Sequence, residues 1–94
     1  MYIGFNSVVV GTSVLGSSDI EVPATATHAE LQCDRASSAT GVRYTMNGTD
    51  PTTTTGMCLL PVSEPKLFLI ADVKRMRFVR DGTVSTRLNI HYIR

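Results

Sequence analysis

The stretch Val42-Arg43-Tyr44-Thr45-Met46-Asn47-Gly48-Thr49-Asp50-Pro51-Thr52 constrains the fold more than any other part of this chain. Val42, Tyr44 and Met46 fall on one face of an extended segment, and Arg43, Thr45 and Asn47 on the other, as in a half-buried strand. The strand then breaks sharply. Asn47-Gly48 supplies residues that accept positive φ, while Pro51 locks its own φ and drives Asp50 extended. A half-buried strand therefore enters a rigid, polar, exposed loop that ends in the threonine run Thr52 to Thr55. Other strands must cover the Tyr44 face.

The rest of the chain reads as those strands. Residues 1–18 hold Val8-Val9-Val10 before two glycine-rich turns; they form either an edge strand or an N-terminal arm that pairs with a neighbouring subunit. Residues 19–94 read as one sandwich domain. Asp19 to Val22 alternates and stops at Pro23, like a short edge strand. From Thr27 to Asp34 the faces separate into Ala29, Leu31, Cys33 and His28, Glu30, Gln32, Asp34. Ser37 to Gly41 is a turn cluster, Met57 to Leu60 a short apolar piece, and Pro61 to Pro65 a connection crossing between sheets. Leu67 to Ala71 is apolar throughout, as in a strand covered on both faces. Lys74–Arg80 and Thr83–Ile93 flank Asp81-Gly82, a hairpin signal. In the last strand Thr86, Leu88, Ile90 and Tyr92 share a face, so it belongs in the middle of a sheet. The expected fold is all-β: a small antiparallel β-sandwich, immunoglobulin-like, with a closed barrel of the same strands as the alternative.

Size and charge limit the function. A chain of 94 residues buries only about 60–65% of its unfolded surface, so its own core is modest. With nine Lys+Arg against eight Asp+Glu the net charge is +1, which gives no electrostatic reason to bind nucleic acid or an anionic membrane. The longest apolar run, Leu67 to Ala71, is far too short to span a bilayer as a helix. Residues 1–6 lack the basic and apolar regions of a signal peptide, so Cys33 and Cys58 are expected as reduced thiols. His28 and His91 complete no metal-ligand spacing with them, and no cofactor is expected.

Catalytic signals are weak. The eight carboxylates are scattered singly, without the spacing of an acid/base pair. The histidines accompany no nucleophile motif, and Gly48 and Gly56 form no phosphate loop. Asn47-Gly48-Thr49 matches a glycosylation sequon, but the turn reading accounts for it. One basic cluster stands out. Arg75 and Arg77 project from one strand face, where Arg87 on the expected hairpin partner joins them; it reads as a charged edge or interface rim. The chain is read as a non-enzyme.

Tyr44-Thr45-Met46-Asn47-Gly48-Thr49-Asp50-Pro51-Thr52 resembles the Y-T-x-D-G-[ST]-x-P-[ST] signature. That signature occurs in chitobiase C-terminal-type immunoglobulin-like domains and in short structural proteins of tailed bacteriophages. The phage proteins are of similar length and also tend to end in a strand like Val84 to Tyr92, so the likeness covers roughly residues 42–94. Asn47 stands where aspartate is usual and tolerates the same left-handed conformation. The resemblance implies a virion structural protein made in the bacterial host cytoplasm. Its implied role is a cement or decoration protein on the capsid exterior, bound to the major capsid protein as a homo-oligomer, a trimer being favoured. A head–tail or tail adaptor and a carbohydrate-binding sandwich are the alternatives. Within the leading reading the contacts expected are Tyr2, Ile3 and Phe5 of the N-terminal segment and the Arg75, Arg77, Arg87 face.

Overall fold

The strands that alternation marks most clearly are the ones that form the centres of two packed sheets. A computed structural model describes residues 1–34, 41–60 and 64–94. It contains β1 (Tyr2–Val10), β2 (His28–Cys33), β3 (Val42–Thr45), β4 (Met57–Leu59), β5 (Lys66–Leu69), α1 (Ile70–Val73), β6 (Arg77–Arg80) and β7 (Thr86–Ile93). One antiparallel sheet has the order β1-β7-β2-β5, the other β4-β3-β6. The protein is a small antiparallel β-sandwich.

The core lies between the sheets. Ala29, Leu31 and Cys33 of β2 and Leu88, Ile90 and Tyr92 of β7 face Val42, Tyr44, Leu59 and Phe78 of the smaller sheet. Phe68 of β5 meets Tyr44 edge to face at 5.8 Å, tying the signature tyrosine to the opposite sheet. The Tyr92 hydroxyl donates to the carbonyl of Ile20, which also accepts from Asn6 Nδ2 at 3.0 Å. That buried carbonyl is thus satisfied without being in either sheet.

The structure departs from three expectations of the sequence. β6 and β7 do not form a hairpin; they lie in different sheets. Gly82 takes a positive φ of 69°, as its turn requires. The turn, however, is held elsewhere: Asp81 N–H donates to Gly41 O at 3.0 Å and Gly82 N–H to Thr53 O at 3.0 Å. The free side of β6 is taken by the segment after β1, through Leu15 bonded both ways to Phe78 and Gly11 O accepting from Arg80.

Second, the Asp19–Pro23 segment is no strand. Asp19 Oδ2 accepts from Gly16 N–H at 2.8 Å, capping a single 3₁₀ turn over Ser17–Asp19, and Glu21 follows with φ of 51°. Third, the Leu67–Ala71 run is not covered on both faces. Only Lys66–Leu69 is strand, at the sheet edge, and the main chain then turns into the helical turn α1. Leu67 and Leu69 remain 61% and 55% exposed. The turn cluster over 37–40 and the start of the β4–β5 crossing at 61–63 lie outside the described residues.

Candidate functional site: the outer face of the four-stranded sheet

Two regions carry exposed chemistry. The first is the loop after β3, which folds back across the outer face of the three-stranded sheet. Gly48, with φ of 82°, donates its N–H to Arg75 O at 3.1 Å. Asn47 does not adopt positive φ; its side-chain oxygen instead accepts from Thr49 N–H at 3.1 Å, an Asx turn. Pro51 is buried against the sheet, close enough to Gly56 that a Cβ there would lie 3.2 Å from the proline ring. Arg43 anchors the base, with Nε 2.9 Å from Asp81 Oδ1 and Nη1 3.0 Å from Gly56 O. The loop is polar and fixed, as its residues imply, but it is a cover for the sheet. Its hydroxyls, such as Thr52 with Thr55 at 2.6 Å, bond to one another.

The second region is the outer face of the four-stranded sheet. Cross-strand register aligns Phe5, His91, Glu30 and Leu67 in one row across all four strands. Tyr2, Ile93, His28 and Leu69 form the adjoining row. The two rings of β1 pack on the histidine: Tyr2 lies 5.0 Å and Phe5 4.8 Å from His91, centroid to centroid. Yet both stay more than half exposed, at 58% and 57%. The Tyr2 hydroxyl donates to Glu30 Oε1, and this bond, followed by the carboxylate's charge, raises the phenol above its ordinary pKa. A shallow cleft beside them is floored by Glu30, Gln32, Asn89 and His91, with Phe5 and Pro65 as walls.

The expected contact residues are divided by the structure. Tyr2 and Phe5 lie together on this face. Ile3 does not: a register irregularity between Tyr2 and Gly4 turns it inward, where it packs on the core. The arginines form no common face, because β6 and β7 are in different sheets. Arg77 lies on the three-stranded sheet, 2.9 Å from Asp50, and the exposed Arg75 offers its carbonyl to Gly48. Arg87 lies on the opposite sheet, its Nη1 3.2 Å from Ser7 Oγ. His91, Glu30, Leu67 and Leu69 complete the patch and are not among the contacts expected from sequence. Period-2 alternation places each of them outward, but only the strand order makes them neighbours.

Among the described residues no three His, Cys, Asp or Glu side chains converge as a metal site. The free Cys33 is buried, beside Thr86 Oγ1 at 3.3 Å, and burial pushes its thiol pKa up; Cys58 is free and half-exposed on β4. No helix among the described residues is long and apolar enough to cross a membrane. Compared with known proteins, the chain matches no family model, no curated sequence and no solved structure.

Proposed function

We propose that this chain is a structural protein of a tailed-phage virion, a cement or decoration protein that binds the shell of the major capsid protein from outside. The observation that carries this reading is the outer face of the four-stranded sheet. A small domain leaves two aromatic rings and two leucines exposed on one continuous face, more apolar surface than single scattered residues would give. Aromatic rings on β1 and leucines on β5, with Glu30, Gln32 and Arg87 interspersed, give the face the mixed apolar and polar composition of a protein interface. The tyrosine-to-threonine signature of the β3 loop supports the virion setting by its resemblance to phage structural proteins. The test is co-sedimentation of purified protein with expanded capsid shells that lack it. Saturable binding at a copy number set by shell symmetry is expected; failure to bind removes the reading.

A carbohydrate-binding module is the second reading, favoured by one observation: Phe5 and Tyr2 stand beside the planar polar groups of Glu30, Gln32 and Asn89. Retention on immobilised polysaccharide that is lost in Tyr2→Ala would place it first.

A further inference from the structure

The free edge of the four-stranded sheet at β5 is complementary to itself. We propose that two copies of this chain pair antiparallel through β5 about a two-fold axis at Phe68, joining their sheets into one of eight strands.

The hydrogen-bond parity of β5 decides which groups face outward. Leu69 is opposite His28, and Ile70 N–H donates to Thr27 O at 2.9 Å. In an antiparallel ladder residues alternate in the side to which their N–H and C=O point. Phe68 and Ile70 therefore bond toward β2, and Leu67 and Leu69 present their main-chain groups to the open edge. Among the described residues no main-chain hydrogen bond outside the strand ladders reaches those groups, and β5 pairs only with β2.

Those same two residues expose their side chains on the outer face. The sequence Leu67-Phe68-Leu69 reads identically in both directions. A two-fold axis at Phe68 sets Leu67 opposite Leu69 of the second copy, and the reverse. Both are hydrogen-bonded pairs, each exchanging two N–H···O=C bonds. On the outer face the four leucines adjoin; beneath them the half-buried Phe68 rings meet.

Charge and register agree with this axis. Lys66 is the one charged residue of the strand, and the copies place their lysines at opposite ends of the pairing. An axis at Leu67 instead would set Pro65, which has no N–H, opposite Leu69.

The other edges offer less continuous pairing. β6 is covered by Gly11 and Leu15, β4 is only three residues long, and on the longer β1 the Ser7 N–H is taken by Asn6 Oδ1 at 2.8 Å, which interrupts its outward row of donors. Between Pro65-Lys66 and α1, the two positions that present open main-chain groups carry exposed leucines rather than the charge or proline that usually protects an edge. The dimer would double the Phe5–His91 face on a single sheet. The trimer implied by the phage resemblance would need a different contact.

The test is the mass of the purified full chain by sedimentation equilibrium, with two variants. Leu69 has φ of −68° and ψ of 145°, a conformation proline adopts, and among the described residues its N–H meets no main-chain acceptor. Leu69→Pro should therefore fold while removing a donor of the pairing. Leu67→Lys places like charges at the axis and carries the test if the proline variant fails to fold. The wild type is expected at twice 10.2 kDa, and both variants at 10.2 kDa with unchanged β circular dichroism. Slow amide exchange at Leu67 and Leu69 is expected in the wild type alone. A wild-type monomer or trimer, or a dimer that survives both substitutions, overturns the proposal. Shell binding is read separately, so a dimer that ignores capsids removes the cement reading and leaves this one standing.

Discussion

Arg43 and Asp81 meet at 2.9 Å, although one lies on the central strand of the smaller sheet and the other in the turn that leaves it. Both side chains are only about a fifth exposed, at 23% and 20%, and the guanidinium also reaches Gly56 O. This contact clamps the Asp81-Gly82 turn against the β3 loop, and β7 departs from there to the other sheet. Removing Arg43 takes a charge-assisted bond from the partly buried Asp81 carboxylate and a donor from Gly56 O, which costs about 1–3 kcal/mol. Arg43→Ala should lower the urea midpoint accordingly. Asp50→Ala, which breaks the exposed pair with Arg77 (46% and 63% exposed), should change stability by less than about 0.5 kcal/mol. Equal effects from the two variants would contradict the clamp.

Gly41 should tolerate no side chain. Its φ is 113°, and a Cβ would lie 2.6 Å from the main-chain oxygen of Leu59. Strain of this kind, with the β3–β4 ladder forced to move, costs about 2–4 kcal/mol. A thermal melt of Gly41→Ala is expected to show a large fall in midpoint. Gly16→Ala, where nothing lies within 4 Å, should melt near the wild type.

Alkaline pH should destabilise the fold through Tyr92. Burial, and next to it Glu21, pushes the Tyr92 hydroxyl from an ordinary value of 10.0 up to about 12. The folded-state value is raised, so the contribution is complete below pH 10, where both states hold the proton. It is lost as pH rises through 12, because the unfolded chain ionises first. Urea titrations from pH 8 to 12 should show this decline. In Tyr92→Phe the decline should be smaller, on a lower plateau from the lost bond to Ile20 O. An identical slope in the variant would refute the assignment.

The thiols should differ in reactivity. Cys58, half-exposed, is expected to react with an aromatic disulfide reagent in the folded protein. Cys33, fully buried and with its pKa raised, should react only on unfolding. Two equally fast thiols would contradict the packing of β2 on β7.

Much of the fold was legible in the alternation of β2, β3 and β7, because each buries one face and leaves the other wet. Its connectivity was not. Asp81-Gly82 encodes a bend, but where the next strand goes depends on Arg43 and Gly41, some forty residues earlier in the chain. The apolar run at Leu67 misled for a related reason: a strand covered on both faces and one whose outer face lies bare at an edge have the same composition. For the site, Tyr2, Ile3 and Phe5 were expected as contacts only through the resemblance to phage proteins, and the fold sets Tyr2 and Phe5 on one face while Ile3 packs inward. Their partners His91 and Glu30 come from strands that only the order β1-β7-β2-β5 makes adjacent. The arginine face failed with the hairpin on which it depended.

In the proposed cement role, the outer face of the four-stranded sheet is the surface that meets the shell. The most direct measurement compares binding of two surface variants to capsid shells lacking the protein. Phe5→Ser alters that face, while Met57→Ser alters an equally exposed apolar side chain (61%) on β4. Phe5→Ser is expected to lose at least tenfold in affinity, as the loss of an aromatic interface contact would, and Met57→Ser to bind like the wild type. Unimpaired binding by Phe5→Ser, or loss in Met57→Ser alone, would contradict that role.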